Sequence, residues 1–449
     1  MTMMKRLFAT FAMMCLFAAQ SATAQTILRD AETEALFQDM TRPIIEAAGL
    51  SPRNVQVVVL QDPEINAFVA GGQTVYINSG LIEAAENYNE VQGVFAHELG
   101  HVVGGHAPLS GRMGKSATGI TIASLLLGAV AAAAGSGDAA MGAILAGQRA
   151  AMGSVLAYSR TQEASADAAG ASFLTKAHIT GKGMLDFFKI LQNQEYRLAI
   201  PQDDAFNRSH PLTGDRIAAL TQTLQSAPNW NTPLDPELEK RFERVKAKLA
   251  GYVEPMDSVL REYPATDPSL TAHYARTYAF HRGGYPDKAN AEAAALVQGE
   301  PNNPYFLEVQ GQILMEGGDP QAALVPLRKA TQLSGNSPLI ATTFGHALVA
   351  TDDPAHLDEA EAVLRQAVQR DDANPFAWVQ LGTVYERRGD EVHAALAKAE
   401  LSNLTGDTRM ALVSAQRAMA GLEKGSSDWL RAQDILMVSQ NEIQDSKRH

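Results

Sequence analysis

The chain has almost no cysteine: Cys15 is the only one among its 449 residues. A disulfide framework and zinc sites built on thiolates are therefore excluded. Any metal would have to be held by histidine and carboxylate ligands. Basic residues are also scarce, with 37 Lys and Arg against 50 Asp and Glu and a net charge of −13. This balance argues against nucleic acid as a general partner.

The hydrophobic run at the amino terminus is short. Lys5 and Arg6 precede the apolar segment Leu7–Ala19, and Ala22-Thr23-Ala24 follows it. This order of charged, apolar and small residues is typical of a secretory signal peptide. We expect residues 1–24 to be removed and the mature chain to be exported, most simply to the periplasm. A short membrane anchor is the alternative, although the run falls below the roughly 20 residues of a spanning helix.

A second apolar region covers residues 118–157, where Asp138 and Arg149 are the only charged side chains. Gly135-Ser136-Gly137 divides it, which predicts two short helices rather than one long helix. Three interpretations stay open: burial against the rest of the domain, a hairpin in peripheral contact with a membrane or client, and a true membrane span.

The first part of the chain predicts a small sheet followed by helices. We expect an amphipathic helix over Asp30–Ala48 and strands at Val55–Leu60, Asn66–Val69 and Thr74–Asn78. A helix follows from about Ala84 to Gly104-Gly105, with the strand Thr74–Asn78 as an exposed edge to which an extended peptide could add. Further helices are predicted at Tyr158–Ala177, at Lys182–Gln194 and from Thr213.

The carboxyl-terminal part repeats. Asn303-Pro304, Ser337-Pro338 and Asn374-Pro375 open similar units 34 and 37 residues apart, each with a glycine seven residues after the proline. Such units resemble tetratricopeptide repeats, which stack as helical pairs into a solenoid with a concave binding face. A helical bundle without repeats is the alternative. The predicted division is a peptidase-like domain at 25–225, a linker and connecting helix at 226–254, and the repeats at 255–449.

The chemistry is indicated by His97-Glu98-Leu99-Gly100-His101, an HExxH pattern. Residues four apart share one face of a helix, so both histidines can bind one metal ion. Glu98 then lies where it can take a proton from a water molecule activated by the metal.

Two histidines need a third protein ligand. His106 is nearby, but Ala107 stands where the HExxHxxGxxH pattern needs histidine, so we interpret His106 as a packing residue or a partner of a ligand. Glu163 is the better candidate, with Asp167 on the same helical face to accept a hydrogen bond from a ligand histidine. A solvent-exposed helical face is the alternative for this acidic pair.

These motifs together resemble the M48 family of zinc metallopeptidases. HELGH and Ser159–Asp167 match its metal-binding elements, and the resemblance extends over Thr26–Leu224 through Asn66-Ala67-Phe68, Gly71-Gly72, Ser209-His210-Pro211 and Arg216-Ile217. It implies one zinc ion per chain with Glu163 as the third ligand. It also implies that His210 lies on a loop that can cap the zinc, as a further ligand or a donor to the transition state. A surface position for His210 is the alternative.

The expected fold is α+β and mostly α: a helical zinc-peptidase (gluzincin) domain with a small sheet, followed by an α-solenoid. The expected function is a periplasmic zinc endopeptidase with Glu98 as general base. The resemblance implies unfolded or misassembled envelope proteins as substrates, and repeats that recruit clients or partners such as outer-membrane assembly machinery. The alternative is a chaperone or assembly adaptor whose protease site is latent under His210.

Overall fold

The computed structural model describes residues 26–106, 160–197, 210 and 214–446. These residues are mostly helical with one four-stranded sheet, which confirms the predicted fold class. The predicted signal peptide at 1–24 and the apolar region at 118–157 lie outside the described residues. Within the described ranges, no helix combines the length and apolar character needed to cross a membrane.

The sheet is formed by β1 (Thr26–Leu28), β2 (Gln56–Gln61), β3 (Ala67–Ala70) and β4 (Thr74–Asn78). Its order is β1-β2-β4-β3, with β4 parallel to β2 and antiparallel to β3. The prediction that Thr74–Asn78 is an edge strand is therefore wrong. Gly71 and Gly72, both at positive φ, turn the chain tightly so that β3 pairs with one side of β4, while β2 takes the other. The edge strand on this side is β3.

Six helices belong to the described part of the peptidase-like region: α1 (Ala31–Ala47), α2 (Ser79–Ala84), α3 (Tyr88–Gly104), α4 (160–176), α5 (Lys182–Arg197) and α6 (Gly214–Gln225). The HExxH helix, α3, begins at Tyr88 and not near Ala84. The Asn87 side chain accepts a hydrogen bond from the Glu90 backbone N–H, which satisfies one of the free donors at the helix start. Ala84 instead ends the separate helix α2.

Glycines on α3 let two helices, α4 and α5, approach it closely. A Cβ on Gly93 would lie 2.3 Å from the Met184 Cα of α5, and one on Gly100 would lie 2.6 Å from the Ala166 carbonyl oxygen of α4. Only glycine permits these approaches. They bring the histidine face of α3 directly against the acidic face of α4.

The remaining described helices are α7 (Pro236–Val253), α8 (Met256–Glu262), α9 (Leu270–Arg282), α10 (Pro286–Gly299), α11 (Pro304–Glu316), α12 (Pro320–Leu333), α13 (Pro338–Ala350), α14 (Leu357–Arg370), α15 (Pro375–Arg388), α16 (Glu391–Leu404), α17 (Thr408–Gly421) and α18 (Ser427–Ser446). Consecutive helices pack as pairs, as predicted for a repeat solenoid. Two of the three repeat glycines have a packing role: a Cβ on Gly311 would lie 2.4 Å from Leu327 Cγ, and one on Gly345 would lie 2.5 Å from Leu364 Cγ. A Cβ on Gly382 would lie 3.4 Å from Ala397 Cβ, which is an ordinary contact.

The connecting helix α7 and the repeat helix α9 together hold the beginning of α1. Glu32 on α1 is fully buried, and its carboxylate accepts hydrogen bonds from Arg244 Nε on α7 at 3.1 Å and from Tyr274 Oη on α9 at 2.9 Å. Lys248 Nζ lies 2.8 Å from Asp30 Oδ2 and 3.2 Å from Glu32 Oε2. We call Asp30, Glu32, Arg244, Lys248 and Tyr274 the junction cluster. It joins the first helix of the peptidase-like region to the repeats.

Candidate metal centre

The two histidines of α3 present the same ring atom to one point. His97 is fully buried and His101 is 8% exposed, and their Nε2 atoms lie 3.1 Å apart. The other nitrogen of each ring is already engaged: His97 Nδ1 lies 2.9 Å from Asp167 Oδ1, and His101 Nδ1 lies 2.8 Å from His106 Nδ1. These contacts orient both rings so that Nε2 faces the centre of the site.

Glu163, near the start of α4, completes the set predicted from the sequence. One carboxylate oxygen lies 3.3 Å from His97 Nε2, and the other lies 3.4 Å from His101 Nε2. Glu163 is 3% exposed and Asp167 is 4% exposed, so neither belongs to a solvent-exposed helical face. The close packing at Gly100 contributes to this burial, because it brings the backbone of α4 against α3 at Ala166.

His210 lies over the same point and is buried, not a surface residue. Its Nδ1 lies 3.3 Å from His97 Nε2 and 3.1 Å from Glu163 Oε2, and its Nε2 lies 3.5 Å from Glu98 Oε1. The ligand atoms of His97, His101, Glu163 and His210 all lie within 4.8 Å of one another. Sequence reasoning named all four residues.

This donor set fits a small cation. Four atoms bound tetrahedrally at about 2.0–2.1 Å lie roughly 3.3 Å from one another, as zinc ligands do. The separations of 3.1, 3.3 and 3.4 Å among Nε2 of His97, Nε2 of His101 and the Glu163 oxygens match that spacing. Both carboxylate oxygens of Glu98 are buried and accept no hydrogen bond from the described residues. Such an unsatisfied carboxylate beside the donors needs a partner at the centre of the site.

The charges of the cluster point the same way. Burial lowers the pKa of His97, but hydrogen bonds to Asp167 and Glu163 outweigh it and raise that pKa to about 10. Burial, together with charge on His97, lowers the pKa of His101 to about 2. Burial opposes ionisation of Glu163, yet hydrogen bonds with His210 and His97 hold its pKa well below the usual value. The site therefore keeps a positive charge at its centre, either as a proton on His97 or as a cation held by the same atoms.

Sequence reasoning missed the role of Arg216, on α6. Its guanidinium lies 2.7 Å from Asp167 Oδ2 and 3.1 Å from Glu163 Oε2, and its Nη1 lies 3.4 Å from the His210 carbonyl oxygen. The planar group also lies over the Phe188 ring, which meets the His97 ring edge-on. Arg216 thus joins the ligand, its supporting carboxylate and the segment that carries His210. The available signal was its place in the Arg216-Ile217 element of the family resemblance, since its burial and its acidic partners follow from the packing of α4 and α6.

Comparison with known proteins agrees with this geometry. The model of Peptidase family M48 matches residues 29–224. Residues 29–224 form an M48 peptidase domain. The expected metalloendopeptidase is thereby confirmed, and the matched residues include HExxH, Glu163 and His210.

The similarity to curated relatives extends beyond that domain. A putative beta-barrel assembly-enhancing protease of Vibrio cholerae is 24% identical, over 90% of this chain and 83% of its own. The beta-barrel assembly-enhancing protease of Escherichia coli K12 is 23% identical, over 82% of this chain and 75% of its own. Metalloprotease YcaL of the same organism is 32% identical, over 39% of this chain and 64% of its own.

Proposed function

We propose that the chain is an exported zinc endopeptidase in which His97, His101 and Glu163 hold the metal. The observation that carries this proposal is the convergence of their ligand atoms beside the unsatisfied carboxylate of Glu98. The absence of thiolates from the described site leaves a nitrogen and oxygen donor set, which suits a catalytic zinc site with one position open.

Bound zinc supplies Lewis acidity, which lowers the pKa of water and polarises a peptide carbonyl. Glu98 accepts the proton of the attacking water and later donates it to the leaving amine. Burial raises the pKa of Glu98, which moves this carboxylate toward the range in which a general base works near neutral pH. Asp167 and His106 keep the ligand rings in place during this exchange, and Arg216 keeps Asp167 and Glu163 in place.

Substrate binding is proposed at β3. This edge strand lies against α3 and pairs on its other side with β4, so an extended segment added to β3 would run past the HExxH helix. Strand β3 (Ala67–Ala70) therefore replaces Thr74–Asn78 as the edge to which a substrate segment is proposed to add.

The proposed substrates are misfolded or misassembled envelope proteins in the periplasm. Two features support this: the signal-like segment at 1–24, and the similarity to relatives named for β-barrel assembly. The repeats are proposed to recruit clients or partner proteins, including the outer-membrane assembly machinery, since stacked helical pairs offer a concave surface for this purpose. Peripheral membrane contact through 118–157 stays a prediction.

One observation favours the alternative of a latent site. His210 Nδ1 lies as near to His97 Nε2 and Glu163 as a fourth metal ligand would, and it would then occupy the position that water needs. In this state the chain acts as an assembly factor, and it becomes a protease when His210 leaves the metal ligands.

The test combines zinc analysis with proteolysis of an unfolded outer-membrane protein by wild type, Glu98→Gln and His210→Ala. The proposal predicts one zinc per chain in wild type and in Glu98→Gln, cleavage by wild type, and no cleavage by Glu98→Gln. Cleavage that survives Glu98→Gln contradicts the proposed mechanism.

Faster cleavage by His210→Ala supports the cap, whereas slower cleavage supports a donor role. In cells, full restoration of envelope-protein assembly by Glu98→Gln would show that proteolysis is not the main activity.

A further inference from the structure

A cavity of about 490 Å³ lies beside the junction cluster, between β1, the start of α1 and the inner helices of the solenoid. This junction cavity is within the size range of ligand sites. Its walls are largely apolar and aromatic, with Tyr278, Met315, Leu339 and Phe376 among them. It is separate from the metal centre, whose ligands do not line it.

The ionic side chains of the junction cavity are paired, with one exception. Arg29 is paired with Glu34 and Asp371, and Lys248 is paired with Asp30 and Glu32. Glu316 is paired with His281. Glu308 also lines the cavity, and it forms no hydrogen bond or ion pair with the described residues. Glu308 is therefore the carboxylate of the lining that has no ion-pair partner among the described residues.

The surroundings of Glu308 make a cation favourable there. Burial, followed by the nearby charge of Asp30, raises the pKa of Glu308 to about 8, even with Lys248 close by. A second cation near Glu308 would relieve this excess of negative charge. The apolar walls beside it suit the aliphatic stem of a lysine or arginine side chain, whose charged end needs an acidic partner.

The junction cavity also borders an exposed main chain. Residues Thr26–Leu28 line it, and β1 is a terminal strand of the described sheet, with Ile27 54% exposed. An edge strand presents unpaired backbone groups with which another extended chain can form hydrogen bonds. A polypeptide satisfies this feature, whereas a free amine does not.

We propose that the junction cavity binds an extended segment of a partner protein through a lysine or arginine side chain that pairs with Glu308. This surface is distinct from the proposed substrate strand β3, which lies at the opposite end of the described sheet. A partner can therefore be held at the cavity while the active site is free to bind a client.

The test uses an array of capped random dodecapeptides and the full mature chain carrying Glu98→Gln, so that peptides stay intact. The bound set should be enriched at least threefold in lysine and arginine at one position. Adding Glu308→Gln should abolish this enrichment, because the amide keeps the shape but not the charge. Glu386→Gln, an exposed change on the solenoid, is the matched control and should keep it.

A photo-crosslinking residue at Ile27 locates the binding. It should capture an enriched peptide, whereas the same residue at Val325, which is 72% exposed on α12, should not. Equal enrichment by Glu98→Gln with and without Glu308→Gln would overturn the proposal. Crosslinking only within the chain, because its own amino-terminal segment fills the cavity, would overturn it as well. Neither result would bear on proteolysis at the metal centre. This proposal can therefore fail while the proposed function stands.

Discussion

The two polar clusters of this molecule differ in how their acidic groups are paired. In the junction cluster each acidic group meets a base or a hydroxyl: Glu32 meets Arg244, Lys248 and Tyr274, and Asp30 meets Lys248. In the metal centre the ligand atoms of three histidines and Glu163 face one another, and Glu98 accepts no described hydrogen bond. The first cluster is complete with protein groups alone, whereas the second has the donor set of a cation site.

The difference teaches how to separate structural from functional burial. Buried charges are tolerated when they are paired and hydrogen-bonded. A buried cluster that lacks such pairing, and whose ligand atoms converge on one point, indicates a bound group. Glu308 departs from this rule more mildly, in a cavity rather than in a packed interior.

Removal of a metal ligand should have the largest effect. His101→Ala should abolish both zinc binding and proteolysis, since two ligands do not hold a catalytic zinc ion tightly. His393→Ala, a histidine of the solenoid that pairs with Asp390, is the control and should retain both. Zinc content by atomic absorption, measured beside the cleavage rate, checks this. A zinc content in His101→Ala equal to that of wild type would contradict the role of this cluster as the metal site.

Breaking the junction cluster should lower the free energy of unfolding and leave the zinc content unchanged. Lys248→Met leaves the partly exposed Asp30 without a cation and leaves the fully buried Glu32 with Arg244 alone. The loss of one partner from a buried pair costs up to about 3–5 kcal/mol of unfolding free energy. Lys189→Met, at an exposed pair with Asp186, should cost about 0–1 kcal/mol. Urea unfolding measures both variants. Equal small losses would mean that the junction cluster does not hold α1 to the solenoid.

Arg216 tests the support of the metal centre. Arg216→Lys keeps the positive charge but not the planar fork that contacts Asp167 and Glu163, so zinc affinity should fall by about 10–100-fold. Competition with a chelator measures the affinity, and Arg417→Lys at an exposed pair serves as the control. An unchanged zinc affinity in Arg216→Lys would contradict the positioning role.

The smallest expected effect is a change in the pH dependence of stability. The pKa of Glu308 is about 8 in the folded chain, above the value of about 4.3 for an unperturbed glutamate. The folded chain therefore binds more protons between these values, and Glu308 makes stability fall as the pH rises from about 4 to 8. The melting temperature of Glu308→Gln minus that of wild type should therefore be larger at pH 8 than at pH 5. An equal difference in melting temperature at the two pH values would contradict the raised pKa of Glu308.

Local patterns predicted most of the site. HExxH spacing on a helix and the Glu163–Asp167 spacing place these groups on helical faces, and the structure brings both faces together at one point. His210 came only from the family resemblance, because no local pattern links a loop histidine to a helix more than 100 residues earlier. Arg216 was missed for the same reason: its partners lie on another helix, and its burial depends on how α4 and α6 pack.

The main error in the fold concerned the sheet. The alternation in Thr74–Asn78 predicts a strand, but strand order depends on pairing between segments far apart in sequence. The complete burial of Val75 and Ile77 is what an interior strand requires. The repeats were easier to predict, because each pair of helices is a local unit whose proline and glycine positions recur.

Anomalous X-ray diffraction at the zinc edge, from crystals of the purified protein, tests the central claim most directly. The account predicts one zinc ion per chain, bonded to Nε2 of His97, Nε2 of His101 and a carboxylate oxygen of Glu163. The position of His210 in the same crystals would separate the capped state from the open one. A zinc-loaded protein with no anomalous peak between α3 and α4, or with its zinc bound elsewhere, would contradict the account.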